Sequence, residues 1–237
     1  MNDFETNSNK RQIHSISETN GFLTKMYSLM AVAVLISALA AYLTMTVFRS
    51  AVMNMPVAMM WLILLVPLGL SMGISFNANR SPIASMIMLA ILSIIYGFEF
   101  ALIAGFYTGS QITTAFVSSA AVFIAMALFG TFTKKDLSSW NAYLGAALTG
   151  FLVAWLVNMF LNSPAVTYVF SFIGVIIFTG LVASDANKMK IIYSQYGNQV
   201  STNGLAVLGA LQLYLDFVNI FMFLLEIFGG SGNSSNN

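Results

Sequence analysis

Seven uninterrupted apolar stretches, each of roughly 20 residues, leave this 237-residue chain very few folds to choose from. They run Phe22–Phe48, Val57–Asn77, Ile83–Phe106, Ile112–Phe132, Trp140–Leu161, Ala165–Ser184 and Leu205–Phe228. At 1.5 Å per residue each one matches the roughly 30 Å hydrocarbon core of a bilayer. Lipid offers no hydrogen-bond partners, so the backbone of such a stretch must bond within itself, as a helix. The expected fold is therefore all-α: a polytopic membrane protein built as a seven-transmembrane-helix bundle. Charge content agrees, at 7% against about 25% for soluble domains.

Connections between the stretches are short, apart from one read as a loop from about Asp185 to Asn203. The sequence divides into a polar cytoplasmic N-terminal tail over residues 1–21, one seven-helix membrane domain over residues 22–228, and a flexible Gly- and Ser-rich tail over residues 229–237. Lys10, Arg11, Lys25, Arg80, Lys134, Lys135, Lys188 and Lys190 fall on one side of a seven-span topology, and Arg49 falls on the other. The positive-inside rule then places the N-terminus in the cytoplasm and the C-terminus outside, in the cell membrane. No short apolar core followed by small residues marks a cleaved signal peptide. Pro67, inside the second stretch, reads as a packing kink.

Several chemistries are missing from the sequence. There is no cysteine, and the single histidine, His14, lies in the polar N-terminal segment, so neither a histidine metal centre nor a serine–histidine dyad is available within the membrane. Neither a phosphate-cradling glycine loop nor a basic, aromatic-interleaved nucleic-acid surface is present. Two aspartates on neighbouring helices would suit an intramembrane aspartyl protease, yet Leu215 and Ser184 precede them and give neither of that family's settings. The expectation is a protein that is not an enzyme and has no resident cofactor.

What remains is a set of polar side chains at membrane depth. Asp216 lies in the last apolar stretch, where a charged aspartate exposed to lipid costs about 2.5–3.5 kcal/mol on insertion scales. Gln212, Asp216, Asn219 and Glu226 follow one another at intervals that place them on one helix face. The amides of Gln212 and Asn219 read equally as interhelical hydrogen-bond glue, and Glu226, near the outer end, reads as able to snorkel to water. Asp185, at the end of the sixth stretch, would face Asp216 across an antiparallel helix pair only if the sixth helix continued past it or the seventh started late. Two carboxylates sharing a proton form a proton sensor without histidine. Glu99, three residues after Tyr96, is either part of an ion or proton pathway or a packing carboxylate near the outer interface. Arg80 is either a topology charge or a salt-bridge partner of Asp185.

Three segments carry a family likeness. Ala115-Phe116, Phe123, Gly130 and Thr133-Lys134-Lys135-Asp136-Leu137-Ser138 resemble the fourth span and following loop of the Bax inhibitor-1 family. Gly180-Leu181-Val182-Ala183-Ser184-Asp185 resembles its sixth span, and Gln212-Leu213-Tyr214-Leu215-Asp216-Phe217-Val218-Asn219-Ile220-Phe221 is similar to its seventh-span signature. The resemblance implies a bundle with a central C-terminal helix, and a pH-sensitive calcium leak in which Asp185 and Asp216 form a hydrogen-bonded proton sensor and transient calcium ligands. An arginine, for which Arg80 is the candidate, would latch onto Asp185. Glu226 stands where the family usually carries arginine, which implies a more cation-attracting outer mouth. Expected partners are the lipid bilayer, calcium and protons, and a membrane protein partner. The competing expectations are a stress-response modulator that binds a membrane protease, and a proton-coupled calcium exchanger.

Overall fold

The computed structural model describes the backbone of residues 2–50, 54–196 and 201–230 and the side chains of residues 17–50, 54–56, 58–196 and 201–230. The side chains of Lys10, Arg11 and His14, and tail residues 231–237, lie outside the described residues. Among the described residues seven long helices follow one another: α1 (Asn2–Thr46), α2 (Val57–Asn77), α3 (Pro82–Ala104), α4 (Gly109–Phe132), α5 (Ser138–Leu161), α6 (Pro164–Tyr196) and α7 (Thr202–Gly230). All seven are long and apolar enough to cross a membrane. Large apolar side chains such as Leu35, Trp61, Phe76 and Phe160 are exposed along them, a surface that water would not tolerate and lipid solvates.

Most boundaries fall within three residues of the sequence reading, and two helices are much longer than it gives. The N-terminal segment is helical from Asn2 and continuous with the first span, and α7 extends to Gly230 before the tail begins. The largest difference is α6. It does not stop at Ser184 but continues to Tyr196, for 33 residues, or about 50 Å. Hydropathy falls at Asp185, Lys188 and Lys190, whereas Ala186, Asn187 and Met189 are buried at spacings that continue one helix face. Most of the expected loop is helix, and residues 197–200 within it lie outside the described residues.

The helices group into two compact units. The first comprises the chain to Leu102 together with Met189–Leu211. In it the Phe22 ring stacks on Tyr193 at 4.3 Å, and the Lys25 ammonium donates to the Asn203 carbonyl oxygen. Ser37 Oγ donates across to the carbonyl of Ser93 at 2.9 Å. Helix α1 meets α3 so closely at Gly97 that an added Cβ would lie 2.3 Å from the Ser37 oxygen.

The second unit comprises Ile103–Lys188 together with the chain from Gln212 onward. Helix α4 starts at a reciprocal capping box, in which Thr108 Oγ accepts from Gln111 N–H and Gln111 Oε1 accepts from Thr108 N–H, satisfying two helix-end donors. Helix α5 ends at Asn162 in the left-handed conformation, φ 52° and ψ 40°, which asparagine tolerates better than most residues. Across that turn Asn158 Nδ2 donates to Thr167 Oγ1 at 2.9 Å. α7 is the most enclosed helix: 61% of its most apolar stretch is buried, against 33% for α6, the next highest. That burial is what a helix with a polar face requires.

Candidate functional site

The candidate site lies in the second unit, where α6 and α7 run antiparallel. Gly174 of α6 faces the ring of Phe223, with an added Cβ reaching 2.5 Å from it, and the ring of Phe178 lies 5.9 Å from the same Phe223. Following the two helices from the Phe178–Phe223 contact brings Asp185 level with Asp216. Counting back from the contact of Met189 with Gly209 brings it level with Leu213. Along the helix axes Asp185 therefore stands level with Asp216 to within one turn, because α6 continues past Asp185. The charge of Asp185 acts on Asp216, and that of Lys188 acts on Asp185.

Asp216 is buried, and its Oδ2 has no hydrogen-bond partner; the same holds for Oε1 of Gln212, one turn earlier, and for the hydroxyl of Ser184, next to Asp185. Asp185 itself is half-buried. Buried polar atoms without partners carry a cost and mark places that require a water, a proton or an ion. Beside them, Phe217 is met edge-on by Phe116 and Phe123 of α4, each at 5.9 Å. These rings close the apolar side of the site.

The other expected residues are distributed as follows. Asn219 donates to the carbonyl of Leu215 on its own helix at 2.7 Å. Glu226 is half-buried and, rather than reaching free to water, accepts a hydrogen bond from the Tyr107 hydroxyl at 2.9 Å. Burial first, then the hydrogen bond and charge of Glu226, push the Tyr107 phenol up to about 12. Gln111 Nε2 donates to the Phe228 carbonyl at 3.2 Å, tying the same end of α7 to α4. Arg80 is exposed in the α2–α3 connection, its N–H bonded to the Asn77 carbonyl. Glu99 is buried in α3, in the first unit. Among the described residues no three histidine, cysteine or acidic side chains are grouped to hold a metal ion.

Residues 19–233 match the family described as inhibitor of apoptosis-promoting Bax1. The chain belongs to the Bax inhibitor-1 family. An uncharacterised membrane protein of Streptococcus pyogenes serotype M1 is similar to it, 40% identical over 214 residues that cover 89% of this chain and 93% of the relative. An uncharacterised protein of Lactococcus lactis is 35% identical over 91% of this chain and 93% of its own, and one of Rickettsia prowazekii is 32% identical over 88% and 89%. The family likeness read from the three motifs is thus borne out, as is the multi-pass membrane fold.

In this Bax inhibitor-1 protein one residue of the site region escaped the sequence reading. Asn187 is buried two positions beyond Asp185. Its Oδ1 accepts from Leu137 N–H at 3.0 Å, and its Nδ2 donates to the carbonyls of Gly130 at 3.1 Å and Lys135 at 3.3 Å. One side chain thus fastens the α4–α5 connection to the helix that carries Asp185. Beside it α4 and α6 touch through backbone, since an added Cβ on Gly130 would lie 2.1 Å from the Ala183 oxygen. Within the connection the Asp136 carboxylate accepts from the N–H and hydroxyl of Ser138, bonds that hold its carboxyl below the usual carboxylate range.

Proposed function

We propose that this Bax inhibitor-1 family protein is a pH-sensitive cation leak, with calcium as the permeant ion, gated by protonation of Asp185 and Asp216. The observation that carries this reading is Asp216: a buried carboxylate in α7, without a partner at Oδ2, within electrostatic reach of Asp185. A calcium ion takes six to eight oxygens. Two carboxylates with the Gln212 carbonyl and the Ser184 hydroxyl supply only part of such a shell, so an ion here keeps some of its water and passes on. Protonating the pair removes the charge that attracts the ion and changes the repulsion between α6 and α7.

In this reading Arg80 is the latch for Asp185, Gln212 and Asn219 belong to the path, and Glu226 contributes negative charge at its outer mouth. The protein sits in the cell membrane with the N-terminus cytoplasmic and performs no covalent chemistry. The test is calcium flux into liposomes holding the purified protein alone, followed from acid to neutral pH for the parent, Asp185→Asn and Asp216→Asn. The expected outcome is a flux that titrates in the parent and loses its pH dependence in both variants. Folded protein that passes no calcium above empty liposomes overturns the leak and favours a binding partner, such as a membrane protease. Uphill calcium movement driven by an imposed proton gradient identifies an exchanger instead.

A further inference from the structure

A further carboxylate stands apart from the aspartate pair in sequence and in unit. Glu99 of α3 is 8% exposed, and its Oε1 has no hydrogen-bond partner. Its surroundings follow from how α1 and α3 run side by side. Ser37 bonds to the carbonyl of Ser93, and Gly97 lies against Ser37 and Ala40, so the two helices advance in the same direction. Two residues beyond Gly97, Glu99 comes level with Tyr42 and Leu43, less than one turn from the buried Thr44.

Among the described residues no cation is placed there to neutralise it. Helix α2 contains no titratable residue, and α3 carries none besides Tyr96 and Glu99. On α1, Lys25 is 19 residues before Thr44, or about 28 Å. Lys190, Tyr193 and Tyr196 lie on the part of α6 that meets α1 at that far end, through the Phe22–Tyr193 stack. Tyr42 is exposed, as is Arg49, beyond the end of α1. The Glu99 charge acts on Tyr96, on the same helix.

A metal ion is a poor fit for this place. The hydroxyls of Ser37, Thr44 and Ser93 are turned onto helix carbonyls, at 2.9 Å, 2.7 Å and 2.8 Å. One carboxylate falls far short of the oxygens that calcium needs. A proton needs only one. An uncompensated buried carboxylate is more costly than a neutral acid, so the neutral form suits this pocket.

We infer that Glu99 is a second proton-binding site of this protein, taking its proton from the side of the membrane onto which α3 opens at Ala104. That end lies five residues beyond Glu99, about 7.5 Å along the helix. The inference does not rest on the leak, because it concerns a different residue and is read by chemistry rather than by flux.

The test uses dicyclohexylcarbodiimide, an apolar reagent, on the full chain in liposomes, with the adduct located by mass spectrometry. The O–H of a protonated carboxyl adds across one C=N bond to give an O-acylisourea. Migration of the acyl group to nitrogen then gives a stable N-acylurea, with no atom lost. The expected result is modification of Glu99, slowing about tenfold per pH unit above its midpoint. It should be equal in the parent and in a variant carrying both Asp185→Asn and Asp216→Asn, and absent in Glu99→Gln. No adduct at Glu99 while Asp216 is modified would overturn the inference. So would a rate at Glu99 independent of pH, or equal modification by a charged, water-soluble carbodiimide, which would mark it as an ordinary solvated carboxylate.

Discussion

Replacing Gly130 with alanine tests the packing on which the site depends. The added Cβ would lie 2.1 Å from the Ala183 oxygen and 2.8 Å from its carbonyl carbon. Ordinary contact begins near 3.4 Å, so α4 and α6 must separate by about 1 Å. Both obstructing atoms are backbone, and no rotamer change relieves them. Overpacking of this kind costs about 1–3 kcal/mol. The separation also lengthens the 3.1 Å bond from Asn187 to the Gly130 carbonyl past useful range, a further loss of about 1 kcal/mol. Against this, alanine gains about 1 kcal/mol of helix propensity over glycine. The net expectation is a loss of about 2 kcal/mol, or a melting temperature lower by about 4–8 °C for a chain of this size. Gly145→Ala is the control, because nothing lies within 4 Å of its added Cβ; it should melt at or slightly above the parent. The assay is thermal unfolding of all three proteins in one detergent. If Gly130→Ala melted at or above the parent, the close α4–α6 approach would be refuted.

Three further outcomes are expected. Asn187→Ala removes three hydrogen bonds and leaves the Leu137 N–H without its acceptor, a loss of about 3 kcal/mol, read as a lower melting temperature and faster amide exchange at Leu137. For Tyr107 the folded value near 12 lies above the ordinary value of about 10. Its contribution is therefore complete below pH 10 and fades as the pH rises towards 12; in alkaline melts Tyr107→Phe should lack this loss, and near neutral pH it should be about 1 kcal/mol less stable for want of the Glu226 bond. Asp136 has the opposite sign: its lowered value stabilises above the unfolded carboxylate range and is lost as the pH falls through the folded value. Ser138→Ala should move the Asp136 titration, followed by carboxyl carbon NMR, back up.

Hydropathy is a reliable guide to a helix in lipid because solvent and backbone impose the same requirement on it. For α2 the apolar stretch and the helix share both ends, Val57 and Asn77. For α6 they do not, because past Asp185 the helix is held by one buried face rather than by lipid. The polar stripe of α7 was legible from spacing alone, as was the need for α6 to continue if Asp185 were to approach Asp216. The partners were not. Tyr107 and Glu226 are 119 residues apart, and Asn187 resembled a loop asparagine. In retrospect Ala183, Ala186, Asn187 and Met189 form a helical pattern of small and apolar residues, in which an amide at the centre signals a buried bond.

The enclosure of α7 also bears on how the protein is made. A chain is synthesised from its N-terminus, so α7 follows α1 to α6 into the bilayer. The α5–α6 hairpin is closed by a tight turn and by the Asn158–Thr167 bond, contacts made between consecutive helices. α7 is different: inserted alone, its aspartate would face hydrocarbon, at about 2.5–3.5 kcal/mol. Arriving after α4, it finds the phenylalanines that its Phe217 packs against already in place. The order of the genes' codons thus spares the most polar helix the lipid exposure it is least able to tolerate.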